Sequence, residues 1–310
     1  MSKWAFLFPG QGSQYVGMGK DLKDNFKEAA DVFAEADDAL SEKLSTLCFD
    51  GPESDLKLTA NTQPAILTTS VAALKVLQRE SGLTPAVVAG HSLGEYSALV
   101  CSGALAFADA VRIVRKRGTY MQEAVPVGVG GMAAILGMDT EAVEKICSEC
   151  AQGQYVSPAN YNCPGQIVIS GHIEAVKRAA EKAEAEGAKR AVMLPVSAPF
   201  HSALMKPAAE KLAEALGPIL INDLTIPVLS NVEAAFYPSQ NDVKRLLAQQ
   251  VNHPVRWIEE MDTLLKEGVD QCLEVGPGKV LSGLMRKISR ETKMKGIENT
   301  ETIKDLLADL

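Results

Sequence analysis

The pentapeptide Gly90-His91-Ser92-Leu93-Gly94 determines how this sequence is interpreted. It follows a short apolar run at residues 86–89 and leads into residues 95–100, which have helical spacing. A strand, a tight Gly-x-Ser-x-Gly turn and a helix form the context of a nucleophile elbow, which exposes the serine hydroxyl at the end of the strand. The two glycines avoid a clash of Cβ atoms where the strand folds back onto the helix. The pattern predicts Ser92 as a nucleophile and the N–H of Leu93 as an oxyanion donor. A glycine-flanked surface turn is the alternative.

Length, charge and cysteine usage restrict the class of protein. A chain of 310 residues with 46% hydrophobic residues can form one large α/β domain, or a domain carrying an inserted subdomain. The net charge of −8 argues against nucleic-acid binding. Neither a secretory signal nor a membrane-spanning run is recognisable, and six scattered cysteines show no disulfide spacing. The close pair Cys147 and Cys150 lacks a second pair, so no metal site is predicted. We expect a cytoplasmic protein without membrane contact.

A second glycine-rich stretch follows the first predicted strand at residues 3–8. It reads Gly10-Gln11-Gly12-Ser13-Gln14, and Gly17 comes too late for the third glycine of a dinucleotide-binding loop. Because α/β sheets place their sites at the carboxyl ends of strands, the amide of Gln11 is a candidate donor to an oxyanion. A plain turn is the alternative.

The predicted elements divide the chain into a large and a small unit. Within residues 126–196 the expected order is strand, helix, two strands, helix and strand, which is the ferredoxin-like arrangement. We therefore predict an α/β fold with a large catalytic domain, residues 1–125 and 197–310, built on a parallel sheet, and an inserted ferredoxin-like subdomain. In the large domain the pattern predicts helices at 31–47, 61–79 (Pro64 in its first turn), 107–124, 203–216, 243–251, 255–266 and 280–288, and strands at 227–230 and 272–275.

The proton of Ser92 needs a base, and the chain contains four histidines. His91 adjoins the serine and is expected to pack beneath the turn, while His172 is expected at the surface. His201 follows the inserted unit, at the mouth between the two parts, and is the favoured base, with His253 as the alternative or as a helix cap. No acidic residue obviously pairs with His201, so we expect a backbone carbonyl to orient its imidazole.

Further motifs accompany these stretches in a fixed order. They are Arg117-Gly118, Asn160 with Pro164-Gly165-Gln166, the segment around His201, and Gln250 followed by Asn252-His253-Pro254-Val255. Over essentially the whole chain this series resembles the malonyl-CoA:acyl carrier protein transacylases of fatty-acid synthesis. The resemblance implies an α/β-hydrolase-like large domain with a ferredoxin-like insert, in agreement with the element order.

The resemblance also implies a role for each motif. Ser92 is then the acylated residue, His201 its base, and Gln11 with the Leu93 N–H the oxyanion hole. The main-chain carbonyl of Gln250 orients the imidazole, and Asn160 belongs to the supporting residues.

Arg117 is implied as the partner of the malonyl carboxylate. A guanidinium forks onto a carboxylate through two parallel hydrogen bonds, which burial strengthens. An ion pair on a helix surface is the alternative for this arginine.

The implied reaction is ping-pong transfer of malonyl from malonyl-CoA to the phosphopantetheine thiol of acyl carrier protein, with no metal or bound cofactor. The protein is expected to act as a monomer, and the acidic carrier to dock on local basic residues. The candidates are Lys189, Arg190, Arg286, Lys287 and Arg290.

Three other functions remain open at this point. Phe200, directly before the histidine, resembles the malonyl-type pattern of polyketide acyltransferases, so a freestanding enzyme that loads polyketide carrier proteins is one alternative. An esterase or thioesterase with the same elbow is another, and would need an acid–histidine pair elsewhere. A non-catalytic module that binds carrier protein is the third.

Overall fold

The computed structural model describes residues 3–196 and 198–310, and these residues form two sheets. One sheet is parallel with strand order β2-β1-β7-β8, and the other is antiparallel with order β4-β5-β3-β6. The predicted mixed α/β class, with a parallel sheet in the large part, is therefore confirmed. The strands are β1 Trp4–Phe8, β2 Val87–Gly90, β3 Gly130–Leu136, β4 Val156–Cys163, β5 Gln166–His172, β6 Arg190–Met193, β7 Gln271–Val275 and β8 Lys293–Ile297.

Helices pack against both sheets, and none of those described has the length and apolar character needed to span a membrane. Their bounds are α1 Lys20–Asn25, α2 Lys27–Leu40, α3 Leu44–Asp50, α4 Glu53–Leu56, α5 Thr59–Ser81, α6 Gly94–Cys101, α7 Phe107–Glu123, α8 Thr140–Cys150, α9 Ile173–Ala185, α10 Lys206–Leu216 after a 3₁₀ turn at Ala203–Met205, α11 Gln240–Gln250, α12 Trp257–Lys266, α13 Val280–Ile288 and α14 Thr300–Ala308.

Strand β1 is apolar throughout because the parallel sheet is covered on both faces. Phe6 and Phe8 point into the larger core, which contains apolar residues of α2, α5 and α7. The intervening Ala5 and Leu7 point into a second core, which contains Trp257 and other residues of α12 and α13. The carboxyl ends of β1 and β2 therefore meet at one buried edge, where the glycine loop and the elbow both begin.

The antiparallel sheet forms a separate layer with two helices on one face. In chain order the segment is β3, α8, β4, β5, α9 and β6, as predicted. Ile135 and Ile169 pack against α8 and α9, whereas Met132 and Val168 on the other face belong to the large core. Ser197, at which the second part of the large domain was predicted to begin, lies outside the described residues.

The glycines of the elbow are required by close backbone packing. A Cβ on Gly90 would lie 2.0 Å from the carbonyl carbon of Gly94, and a Cβ on Gly94 would lie 2.0 Å from the carbonyl oxygen of Phe8. Helix α6 thus begins directly against the ends of β1 and β2. This contact fixes where Ser92 emerges.

Several element predictions differ from the structure. The helix expected at 31–47 is two helices, because Ser41 adopts a left-handed conformation with φ 54° and caps α2. The strand expected at 227–230 is reduced to isolated bridges, among them Val88 to Val228. Pro64 lies inside α5 and not in its first turn, since that helix begins at Thr59. Strand β8 and helix α14 were missed.

The elbow packing predicts opposite effects for two glycine substitutions. Gly94→Ala should lower the free energy of unfolding by about 1–3 kcal/mol, because the added methyl group collides with backbone. Gly283→Ala, inside α13 with open space at its Cβ position, should raise it by up to about 1 kcal/mol. Urea unfolding followed by circular dichroism measures both. Equal stabilities of the two variants would contradict this account of the elbow.

Candidate active site

Ser92 lies at the apex of the elbow in a strained backbone conformation. Its φ is 51°, in the left-handed region that non-glycine residues rarely adopt. The backbone N–H of Ser92 donates to Oδ1 of Asn231 at 2.6 Å, and Nδ2 of Asn231 donates to the carbonyl of Gly90 at 2.7 Å. One amide side chain therefore bridges both sides of the turn and stabilises the strained residue.

His201 provides an imidazole at hydrogen-bond distance from the serine. Nε2 of His201 is 2.8 Å from Oγ of Ser92, and Nδ1 is 2.8 Å from the main-chain oxygen of Gln250. Because the carbonyl oxygen only accepts, the imidazole proton lies on Nδ1 and Nε2 is free to accept from the hydroxyl. The expected carbonyl-oriented pair is present, although the two residues are 109 positions apart in the sequence.

The imidazole is kept neutral by its surroundings. His201 is 4% exposed. Burial, with the positive charge of Arg117 as the second cause, lowers the pKa of His201 to about 3. A neutral imidazole facing a hydroxyl can accept its proton, which is the chemistry required of a general base.

Arg117 extends from α7 into the same site. It is 1% exposed, so the alternative of an ion pair on a helix surface is wrong. Nη1 donates to Oε1 of Gln63 at 2.7 Å, while Nη2 donates to Oε1 of Gln250 at 2.8 Å and to Oγ of Ser92 at 3.1 Å. Burial lowers the pKa of this guanidinium. The cation therefore lies beside the serine oxygen.

Gln11 and Leu93 flank the serine from two loops. Gln11 lies in the loop that follows β1, and its Nε2 is 3.3 Å from Oγ1 of Thr59. Leu93 immediately precedes α6, at a helix start where the first N–H groups lack intrahelical partners. Both residues line the cavity that contains Ser92.

The cavity is small and is formed by both parts of the molecule. Its volume is about 120 Å³. The antiparallel layer supplies Met132 and Asn160, and Asn160 also pairs with Val255 across the junction. Apolar side chains cover much of the remaining wall. The lining residues are Gln11, Gln63, His91, Ser92, Leu93, Arg117, Met121, Met132, Asn160, Leu194, Val196, Phe200 and His201.

The other three histidines occupy different positions. Nε2 of His91 is 2.8 Å from Oδ1 of Asn162. His172 accepts the backbone N–H of Tyr155 at the end of β5. His253 donates to the last turn of α11, so it caps that helix as the alternative prediction had it.

Sequence reasoning missed several buried polar residues behind the elbow. Glu95 is fully buried, and burial raises its pKa to about 7 against the opposing hydrogen bonds from Tyr237 and Gln250. The backbone N–H of Asn231 donates to the carboxylate of Glu95, and Nδ2 of Asn231 donates to the buried carboxylate of Glu260. Glu95 directly follows the Gly-x-Ser-x-Gly pattern and was therefore within reach of a motif argument. The other residues carry no local signal, since only the fold brings them to the elbow.

The chemistry of the site rests on a hydroxyl, a neutral imidazole and a guanidinium. Among the described residues, no three His, Cys, Asp or Glu side chains group as ligands for a metal ion. Cys147 and Cys150 are buried free thiols in α8. The arrangement can activate the serine oxygen and bind an anionic group next to it.

Comparisons with known proteins agree on one family. The sequence model of the acyl transferase domain matches residues 5–305. The malonyl CoA-acyl carrier protein transacylase of Bacillus subtilis (strain 168) is 55% identical over 304 residues, which cover 98% of this chain and 96% of that protein. The malonyl CoA-acyl carrier protein transacylase of Coxiella burnetii has a similar structure, with a TM-score of 0.98 at 44% identity, covering 100% of this chain and 98% of that one. A malonyl-transacylase in complex with a type II PKS acyl-carrier protein gives a TM-score of 0.97 at 47% identity over 100% of both chains. The chain belongs to the acyl transferase domain family and, within it, groups with the malonyl CoA-acyl carrier protein transacylases.

Proposed function

We propose that this protein transfers a malonyl group from malonyl-CoA to the phosphopantetheine thiol of acyl carrier protein, and so supplies the extender unit for fatty-acid synthesis. The observation that carries the proposal is the position of one serine oxygen, 2.8 Å from Nε2 of His201 and 3.1 Å from Nη2 of Arg117. A nucleophile, its base and a carboxylate partner then act on one acyl group. The family membership supports the same reaction.

The first half-reaction forms a malonyl ester on Ser92. As Oγ bonds to the thioester carbon, its proton passes to Nε2 of His201, and the carbon–sulfur bond breaks. The imidazolium returns the proton to the departing thiolate of coenzyme A. In the second half-reaction the carrier's thiol gives its proton to the same nitrogen and attacks the ester carbon. The bond from that carbon to Oγ then breaks, and the imidazolium returns the proton to Oγ as the hydroxyl.

We assign the oxyanion hole to Gln11 and the N–H of Leu93. Developing charge on the thioester oxygen is stabilised most by donors that are already in place. A side-chain amide from one loop and a helix-start N–H from another meet this requirement without adding a charge. The carbonyl of Gln250 keeps the proton of His201 on Nδ1 throughout, and Asn160 supports the acyl group from the cavity wall.

Arg117 is assigned to the malonyl carboxylate. The remaining hydrogens of its guanidinium form charge-assisted bonds that a neutral acyl group cannot accept. Anchoring the carboxylate in a cavity of about 120 Å³ leaves little room for water beside the ester, which favours transfer over hydrolysis. His201 is also oriented by a main-chain carbonyl and not by an acidic side chain, which favours the transferase over the esterase alternative.

We further propose the finer description of the architecture. The large part, residues 1–125 and 197–310, is then an α/β-hydrolase-like catalytic unit, and residues 126–196 are a ferredoxin-like insert. The residues to which we assign roles all lie in one chain, and the protein is proposed to act as a monomer without a bound cofactor. The six free cysteines fit the reducing cytoplasm.

The carrier protein is proposed to dock through exposed basic side chains. An acidic carrier needs such local patches because the chain as a whole carries a net charge of −8. The candidate residues, all exposed, are Lys189, Arg190, Arg286, Lys287 and Arg290.

A second candidate carrier is that of polyketide synthesis. A solved relative at 47% identity is a malonyl-transacylase bound to a type II PKS acyl-carrier protein. Phe200, which lines the cavity, fits the same malonyl-type pattern. Transfer rates from the acylated enzyme to purified fatty-acid and polyketide carriers distinguish the two pathways.

Acylation of Ser92 is the first test. Mixing the protein with malonyl-CoA should add one malonyl group, located by peptide mass spectrometry on Ser92. Ser92→Ala should abolish the adduct. Ser97→Ala is the matched control, because Ser97 is buried on α6 and its hydroxyl has no hydrogen-bond partner among the described residues. An adduct that survives in Ser92→Ala would overturn the proposal.

Loss of the guanidinium should change the choice of donor. Arg117→Ala is expected to lower kcat/KM for malonyl-CoA roughly 100-fold relative to acetyl-CoA, because only the malonyl group loses charge-assisted hydrogen bonds. Single-turnover acylation with both donors measures the ratio. Retention of the wild-type ratio would assign the carboxylate to another residue.

The same variant should change the pH dependence of acylation. With the pKa of His201 lowered to about 3, the base stays neutral far below pH 6.5, and its acid limb lies at strongly acidic pH. Arg117→Ala removes a positive charge and admits water, and both changes raise the pKa. The acid limb of kcat/KM with acetyl-CoA should therefore move to higher pH. An unchanged limb would show that the charge of Arg117 does not act on His201.

A further inference from the structure

The buried guanidinium of Arg117 is held by neutral groups. In the described part of the chain its hydrogen bonds go to Oε1 of Gln63, Oε1 of Gln250 and Oγ of Ser92, and none goes to a carboxylate. A buried arginine without a counter-charge is unusual, because desolvation of the cation is costly unless it is paired. The acceptors in direct contact with the guanidinium are therefore all neutral.

Gln63 and Gln250 each accept a hydrogen bond from a different terminal nitrogen of the Arg117 guanidinium. Each terminal nitrogen of a guanidinium carries two hydrogens. Gln63 accepts one from Nη1 and Gln250 accepts one from Nη2, at 2.7 and 2.8 Å. One hydrogen then remains on Nη1, while the second hydrogen of Nη2 is donated to Oγ of Ser92, 3.1 Å from that nitrogen. Both terminal nitrogens are thus positioned by glutamine oxygens, and Nη1 retains a donor for a ligand.

The position of Gln63 follows from the packing of α5 against α7. A Cβ at Gly118 would lie 2.6 Å from the carbonyl oxygen of Thr59 and 2.7 Å from Cα of Ala60, so the two helices approach closely only because residue 118 is glycine. Gln63 lies one turn further along α5 and is 1% exposed. Its Nε2 is directed to the sulfur of Met121 at 3.6 Å, which leaves Oε1 to face Arg117.

The nearest buried carboxylate reaches the arginine only indirectly. Glu95 accepts a hydrogen bond from Nε2 of Gln250, whose Oε1 in turn accepts from Arg117. A whole amide group therefore separates the two charges. Gln63, by contrast, contacts Nη1 of Arg117 directly. A carboxylate at position 63 would therefore form a direct ion pair with the guanidinium.

We infer that Gln63 is a positioning residue that sets the selectivity for an acyl group bearing a carboxylate. As a neutral acceptor it orients Nη1 of Arg117 without cancelling the charge that the substrate carboxylate needs. The inference rests on the proposed function, because it concerns how Arg117 selects malonyl-CoA over acetyl-CoA.

Two substitutions separate charge from orientation. Gln63→Glu has the same shape and places an anion against Nη1, whereas Gln63→Met keeps the volume and neutrality but removes the acceptor. Gln78→Glu is the matched control, since Gln78 is exposed near the end of the same helix. Single-turnover acylation of Ser92 is followed by intact mass with malonyl-CoA and acetyl-CoA, and thermal melting checks the fold of each variant.

The expected order of selectivity decides the question. Gln63→Glu should lower the malonyl/acetyl ratio of kcat/KM roughly 100-fold and Gln63→Met roughly tenfold, with the control at the wild-type ratio. If both Gln63 variants slow the two donors equally, the residue is structural and the inference fails. If Gln63→Glu does not fold, the ratio for Gln63→Met decides alone, and an unchanged value overturns the inference. A wild-type protein that malonyl-CoA does not acylate would refute the proposed function instead.

Discussion

A buried cation with no carboxylate in direct contact is the constraint on which the active site depends. Arg117 is 1% exposed, and the three side chains that accept its hydrogen bonds are neutral. Gln250 is one of these neutral residues, and it contacts three parts of the site at once. Its side-chain oxygen accepts from Arg117, its amide nitrogen donates to the carbonyl of Ser92, and its main-chain oxygen accepts from His201. One residue at the end of α11 therefore sets the relative positions of the hydroxyl, the imidazole and the guanidinium.

The two residues that share the reacting proton are also both strained. Ser92 has φ 51° and His201 has φ 57°, values that cost about 1–3 kcal/mol each for non-glycine residues. Such conformations persist only where surrounding contacts hold them. The Ser92 N–H is held by Asn231, and the His201 N–H bonds the carbonyl of Val251 directly after α11. Both partners are distant in the sequence, so the strained pair depends on long-range packing.

The sequence predicted those parts of the site that have local patterns. The elbow, the glycine loop and the βαββαβ order follow from short-range spacing, and His201 could be chosen because few histidines were available. Asn231 and Gln63 could not be found in this way. Neither lies in a glycine-rich turn, and each reaches the site through packing across more than 50 positions, 54 for Gln63 with Arg117 and 139 for Asn231 with Ser92. Strand β8, Lys293–Ile297, was missed for a related reason. It is an edge strand with one exposed and one half-buried lysine, and it lacks a continuous apolar run.

The buried carboxylates behind the elbow complete the electrostatic design. Burial raises the pKa of Glu95 to about 7 and raises that of Glu260 well above its usual range. Glu95 accepts a hydrogen bond from the side-chain amide of Gln250. The nitrogen of that amide therefore faces Glu95, and its oxygen faces Arg117. A carboxylate in direct contact would orient the guanidinium equally well but would neutralise it. Because the orienting acid acts through an intervening amide, the side of Arg117 that lines the cavity keeps its positive charge.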